Sequence, residues 1–151
     1  MKKQFDVTEF YYQNAHPQNG KIFFEQSYNF SLHEEELIMA KWIFSNLGGN
    51  IKLLSEMSGI YGKKQADFEW NGKLWELKTL KSERSIDSAL RKAIEQIYNN
   101  PGGVILDFGK NKVQLPLIES AIKSRIESSC RFKIDIIIIC DGKLRKVLQY
   151  L

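Results

Sequence analysis

Asp67-Phe68-Glu69-Trp70-Asn71-Gly72-Lys73-Leu74-Trp75-Glu76-Leu77-Lys78 is the stretch whose reading decides the fold. Asn71-Gly72 is a two-residue turn signal, because both residues tolerate positive φ. The flanks therefore read as two short antiparallel strands. Counting outward from the turn pairs Trp70 with Lys73, Glu69 with Leu74, Phe68 with Trp75 and Asp67 with Glu76. Paired residues share a face and stand about 5 Å apart. Side chains alternate along a strand, so Glu76 and Lys78 point one way while Trp75, Leu77 and Thr79 point the other. One face at the end of the hairpin then gathers Asp67, Glu76 and Lys78.

Two carboxylates at that spacing repel and raise each other's pKa. A hard divalent cation relieves the repulsion by taking oxygens from both. A neighbouring lysine then orients or helps activate a water, or stabilises charge on a phosphate. This is the chemistry of phosphodiester hydrolysis. The plainer alternative is an exposed amphipathic hairpin with a cross-strand salt bridge.

The pattern Asp67, eight residues, then Glu76-x-Lys78 resembles the PD-(D/E)XK nuclease superfamily, with its restriction-endonuclease-like fold. Ala66 stands where that pattern has a proline. The wording Ala66-Asp67, Asn71-Gly72 and Trp75-Glu76-Leu77-Lys78-Thr79 is similar to one branch, the C-terminal nuclease domains of bacterial contact-dependent growth inhibition toxins. Many of these cleave tRNA. The resemblance spans Ser31 to Gly109. It implies that Asp67 and Glu76 ligate a metal, Mg²⁺ first and Mn²⁺ or Zn²⁺ after it, and that Lys78 positions the attacking water. It also implies a nucleic-acid substrate, with tRNA favoured over DNA, and a cognate immunity protein that covers the active face. Such a domain acts in the bacterial cytoplasm, delivered there as the C-terminal part of a secreted or surface protein.

Outward from the hairpin, Ser31 to Leu47 reads as a helix. Ser31 and Glu34 form a capping box, and Gly48-Gly49 stops the helix. Leu32, Met39, Ala40, Ile43 and Leu47 make its apolar face, and Glu36 falls in the middle of that face while Glu34 and Glu35 do not. A carboxylate aimed at a core needs a partner or a metal. In the fold named above the first helix often supplies an acidic residue, so Glu36 is a candidate to complete the site; a buried salt bridge is the other reading. Ile51 to Leu54 is a short strand, and Glu56 to Lys64 a loop. Lys63 and Lys64 ahead of Asp67, together with Lys81, Arg84 and Lys92 beyond the hairpin, are candidate phosphate contacts. Ser85 caps a second helix to Asn99, with Ile86, Leu90, Ala93, Ile94 and Ile97 as its stripe. Gln96 at the stripe's edge is a possible accessory residue, on the analogy of a glutamine in several relatives. Thr79 and His33 are further accessory candidates.

Asn99-Asn100-Pro101-Gly102-Gly103 reads as a breaker run. Val104 to Phe108 is an almost continuous apolar strand, as expected of one covered on both faces. The hairpin strand, second helix and this strand make a crossover that is normally parallel and right-handed. A third helix opens at Gln114 or Pro116 and runs to Ser128. Arg131 to Cys140 is the last core strand, with Asp135 read as an outward polar residue, or else as a second-tier residue of the site. Asp141-Gly142 turns the chain into Leu144 to Tyr150, an edge strand. The order matches an α/β (mixed α+β) fold in which a central mixed sheet is flanked by helices. Residues 1–30 stand apart as an aromatic-rich N-terminal arm, read as packing on the 31–151 core or as a stacking surface for bases.

Composition sets the outer limits. The 151 residues, 43% apolar and 26% charged, suit a single globular domain. A formal charge of +4 leans toward an anionic partner. No apolar run of about 18 residues is present, so no membrane span is expected. Met1-Lys2-Lys3 lacks a following apolar stretch, so no cleavable signal is expected. Cys130 and Cys140 form no Cys-x-x-Cys pair, which argues against a structural zinc site and a disulfide. Three other readings stay open: a DNase of the same fold, a metal-independent ribonuclease toxin using His33 or His16 with Glu76 and Lys78, and a non-catalytic phage, mobile-element or immunity module.

Overall fold

The computed structural model describes residues 2–31, 33–55 and 66–151. Its elements follow in the order β1 (Gln4–Asp6), α1 (Thr8–Gln13), β2 (Gly20–Phe24), α2 (Glu34–Asn46), β3 (Gly49–Leu53), β4 (Phe68–Trp70), β5 (Lys73–Thr79), α3 (Ile86–Ile97), β6 (Pro101–Asp107), α4 (Leu115–Ser129), β7 (Ile134–Cys140) and β8 (Lys143–Tyr150). All eight strands join one mixed sheet in the order β1-β8-β7-β6-β5-β4-β3-β2. β5, β6 and β7 run parallel, and β2 runs parallel to β3; the remaining pairs are antiparallel.

Asn71 and Gly72 adopt φ of 49° and 82°, and the hairpin pairs Trp70 with Lys73, Glu69 with Leu74 and Phe68 with Trp75. Asn100 clamps the turn from outside: its amide donates to Gly72 O, its side-chain oxygen accepts from Lys73 Nζ, and its carbonyl accepts from Leu74 N–H. Alternation then sorts the core into two layers. Leu74, Val104, Leu106, Ile136 and Ile138 pack under α3 and α4. Trp75, Leu77, Ile105, Ile137 and Ile139 pack with Met39, Ala40 and Ile43 of α2 and are flanked by Tyr11 of α1.

Several boundaries differ from the sequence reading. α2 begins at Glu34 with His33 before it, and no side chain caps it. The Ser31 hydroxyl is spent on Asn29 Oδ1 at 2.8 Å, so the expected capping box does not form. Ser85 is the N-cap residue of α3 as expected, but its side chain makes no capping bond; it also closes a single 3-10 turn, Glu83–Ser85, that leads into the helix. The breaker run Pro101-Gly102-Gly103 lies inside β6. A Cβ at Gly102 would stand 2.4 Å from Trp75 Nε1, and one at Gly103 would stand 2.2 Å from Asp135 O. Glycine is there because the Trp75 ring lies across the strand.

The arm is part of the sheet: β1 pairs with β8 and β2 with β3. β8 is therefore not an edge over its whole length. Asp135 is not turned out to water; it is half-buried and accepts hydrogen bonds from Tyr11 OH and Gln149 Nε2. Cys130 is buried and Cys140 half-buried, and both are free thiols. Burial pushes both thiols above the usual cysteine range. Among the described residues no helix is long and apolar enough to cross a membrane.

Candidate active site

β5 outruns β4. Its first three residues pair with β4, whereas Glu76 to Thr79 extend past the partner strand's start at Phe68. Asp67 therefore stands beside the splay and is not a ladder partner of Glu76. Side chains make good the missing ladder. Asp67 Oδ2 accepts the Leu77 N–H at 2.8 Å, and Glu76 Oε1 accepts the Asp67 N–H at 3.0 Å. Both carboxylates are deeply buried, Asp67 at 5% exposure and Glu76 at 0%. Lys78 Nζ lies 3.2 Å from Glu76 Oε2 and keeps 17% of its side chain in contact with solvent. The strand alternation that aligned Glu76 with Lys78 is thus realised as an ion pair.

The N-terminus of α2 abuts the same strand end. A cleft of about 390 Å³ is lined by Ser31, His33, Glu34, Glu35, Glu36, Asp67 and Leu77. Glu36 Oε1 lies 3.1 Å from Tyr28 OH, and Glu36 Oε2 lies 3.0 Å from His33 Nδ1. Burial and then the Glu36 charge push the Tyr28 phenol well above its ordinary value, so it acts as a neutral donor that holds the carboxylate. Thr79 points to the opposite side from Lys78, and its hydroxyl reaches Glu35 Oε2 at 3.2 Å. Three acidic residues in the first turn of α2 sit against the positive end of the helix dipole. The same partial charge offsets the gathering of carboxylates around Asp67.

The expected residues are thus partly assembled. Asp67, Glu36 and His33 line one cleft, and Glu76 and Lys78 adjoin it through the Asp67 N–H. Gln96 is in the last turn of α3 and does not line this cleft; its Oε1 is buried with no hydrogen-bond partner among the described residues. Lys81, Arg84 and Lys92 are exposed. Lys63 and Lys64 lie outside the described residues. Tyr28 was missed, because in sequence it is one aromatic among many in residues 1–30 and nothing local ties it to Glu36.

Among the described residues no three His, Cys, Asp or Glu side chains stand as a ready metal-binding group. The donor set still suits a hard cation, since Mg²⁺ takes one or two carboxylates and fills its shell with water and substrate phosphate. Asp67 and Glu76, joined by one backbone hydrogen bond, are the pair able to supply them.

No family profile matches this sequence, and no curated protein matches it. Among solved structures, the fold is similar to a chain of the "CdiA-CT/CdiI toxin and immunity complex from Burkholderia pseudomallei". The TM-score is 0.54 at 14% identity, over 85% of this chain and 98% of that one. The likeness is one of fold.

Proposed function

We propose that this chain is a divalent-metal-dependent nuclease of the PD-(D/E)XK kind, acting as the toxin of a contact-dependent growth inhibition system with tRNA as its substrate. One observation carries the reading: Asp67, Glu76, Lys78 and Glu36 come together where β5 outruns β4, beside the N-terminus of α2. The fold likeness to a chain of a toxin and immunity complex supports the biological setting and a cognate immunity protein as partner.

In this reading Asp67 and Glu76 hold the cation, Mg²⁺ or Mn²⁺ ahead of Zn²⁺ because carboxylates are hard donors. When bound, such a cation polarises a phosphate oxygen and lowers the pKa of a water. Lys78, anchored by Glu76, orients the attacking water and offsets the negative charge that develops on the phosphate. Glu36, held by Tyr28 and His33, completes the acidic side of the site. Lys81, Arg84 and Lys92, with Lys63 and Lys64, supply sequence-independent phosphate contacts.

A second reading draws on His33. Its Nδ1 is 3.0 Å from Glu36 in the cleft that Asp67 lines, an arrangement suited to acid–base cleavage of RNA without a metal.

The test incubates the chain with total tRNA and with plasmid DNA, in Mg²⁺ or in EDTA, beside Asp67→Asn and Lys78→Ala. Asparagine keeps an oxygen for the Leu77 N–H, so Asp67→Asn separates charge from fold. The expected result is Mg²⁺-dependent cleavage of tRNA that falls about 10²- to 10³-fold in each variant. Cleavage that survives EDTA but is lost in His33→Gln selects the second reading. Cleavage of plasmid alone moves the substrate to DNA. Intact tRNA and plasmid in every lane leave a non-catalytic module, an immunity protein among the possibilities.

A further inference from the structure

A cavity of about 830 Å³ lies at the other end of α2 from the carboxylates, between α1, the end of α2 and the β4–β5 turn. Tyr11, Trp70 and Trp75 supply aromatic surface, Phe10 stands at the rim at 62% exposure, and Lys73 and Lys133 bring positive charge. The ring centroids of Tyr11 and Trp70 are 6.3 Å apart, and those of Trp70 and Trp75 are 5.0 Å apart.

One donor of this cavity is left to solvent. The three tryptophans differ in what their indole N–H groups do. Trp42 donates to Gly142 O at 2.8 Å and Trp70 to Gly48 O at 2.9 Å. Trp75 as a residue is only 4% exposed, yet its N–H makes no hydrogen bond within the described residues and is not among their fully buried polar atoms. Trp75 lines the cavity, and its N–H is open to the cavity's solvent, where an incoming acceptor can take it. Asp135 also lines the cavity, with its carboxylate already shared between Tyr11 and Gln149.

We propose that this cavity binds one unstacked nucleobase of a single-stranded nucleic acid. The base lies against the Tyr11, Trp70 and Phe10 rings and accepts the Trp75 N–H on its edge, while its phosphate meets Lys73 and Lys133. Unpaired bases are held in this way by aromatic faces with a few edge hydrogen bonds. α2 has 13 residues, so the two openings stand about 20 Å apart. The pocket therefore holds a base remote from the scissile phosphate and sets which strands are cut. That last step rests on the nuclease reading; the binding itself does not.

The experiment uses the whole chain with ¹⁵N-labelled tryptophan. Its three indole signals are assigned with Trp42→Phe and Trp75→Phe, and the four ribonucleoside 5′-monophosphates are titrated one at a time, with ribose 5-phosphate as control. The expected result is a saturable shift of the Trp75 signal by at least one nucleotide, with Trp42 unmoved and ribose 5-phosphate inert. Phe10→Ala and Lys133→Ala, both at exposed positions, weaken that binding about tenfold. A Trp75 signal that stays still to millimolar nucleotide, or that moves equally with ribose 5-phosphate, overturns the proposal. Cleavage of tRNA by a protein whose Trp75 signal never moves sinks the pocket and spares the nuclease. A moving signal in a protein that cuts nothing does the reverse.

Discussion

Gly103 shows how much a single hydrogen in place of a methyl can decide. Read locally, Pro101-Gly102-Gly103 is a loop. In the fold it opens a buried parallel strand, because the Trp75 ring occupies the space any side chain would need. Gly103→Ala is expected to cost about 3 kcal/mol through overpacking against Asp135 O and the indole. Gly142→Ala, at φ of 72° with no neighbour within 4 Å, is expected to cost only about 1 kcal/mol of backbone strain. Urea unfolding of the two variants side by side checks the order; equal losses would mean that the Trp75 contact is not what requires Gly103. The same contrast between local and distant causes runs through the site. The register of Glu76 and Lys78 was readable, since alternation needs only neighbours. The Tyr28 and His33 contacts that hold Glu36 were not, because they depend on where the fold sets Tyr28 and His33 beside α2.

At the scale of elements, α1 is instructive. Six residues are too few to hold a helix by themselves. Its place is set by ties to the sheet: Tyr11 OH to Asp135, Tyr12 OH to Leu144 O, and Thr8 Oγ1, which accepts the Val147 N–H. Tyr11→Phe removes one donor from a half-buried carboxylate and is expected to cost about 1–3 kcal/mol, read as faster amide exchange in residues 8–13 than in β6 or β7. Alkali should do the same without mutation. Burial first, then the Asp135 charge, raises the Tyr11 phenol above its ordinary value, and burial first raises Tyr28 and Tyr150 as well. The folded chain therefore keeps protons that unfolded tyrosines release near pH 10. That stability is complete below this pH and is lost as pH rises from there toward the folded values. Urea midpoints should fall between about pH 9 and about pH 11, and fall less in Tyr11→Phe; equal slopes would show that Tyr11 is not among the causes.

Across the whole molecule, the first 24 residues matter most for the edges of the sheet. β1 covers Leu148 to Tyr150 of β8, and β2 covers all of β3. A chain beginning at residue 25 would expose β3, with Ile51 and Leu53, as an open edge, and such edges pair with other chains. Light scattering after size exclusion is expected to show oligomers or precipitate for that truncation and a single smaller species for the full chain; a monodisperse truncated chain would show that the arm is dispensable. The sequence by itself determined the order of elements from α2 onward, the β4–β5 register from Phe68 to Trp75, and the parallel crossover. Turn chemistry and side-chain periodicity are local, and they act wherever the chain is. Only the tertiary structure decided that the arm joins the sheet, that glycines lie in a strand, that Asp67 bonds to backbone where the strands splay, and that Trp75 faces a cavity. These depend on partners as far apart as Tyr11 and Asp135, separated by 124 positions, and no local pattern carries information across that distance.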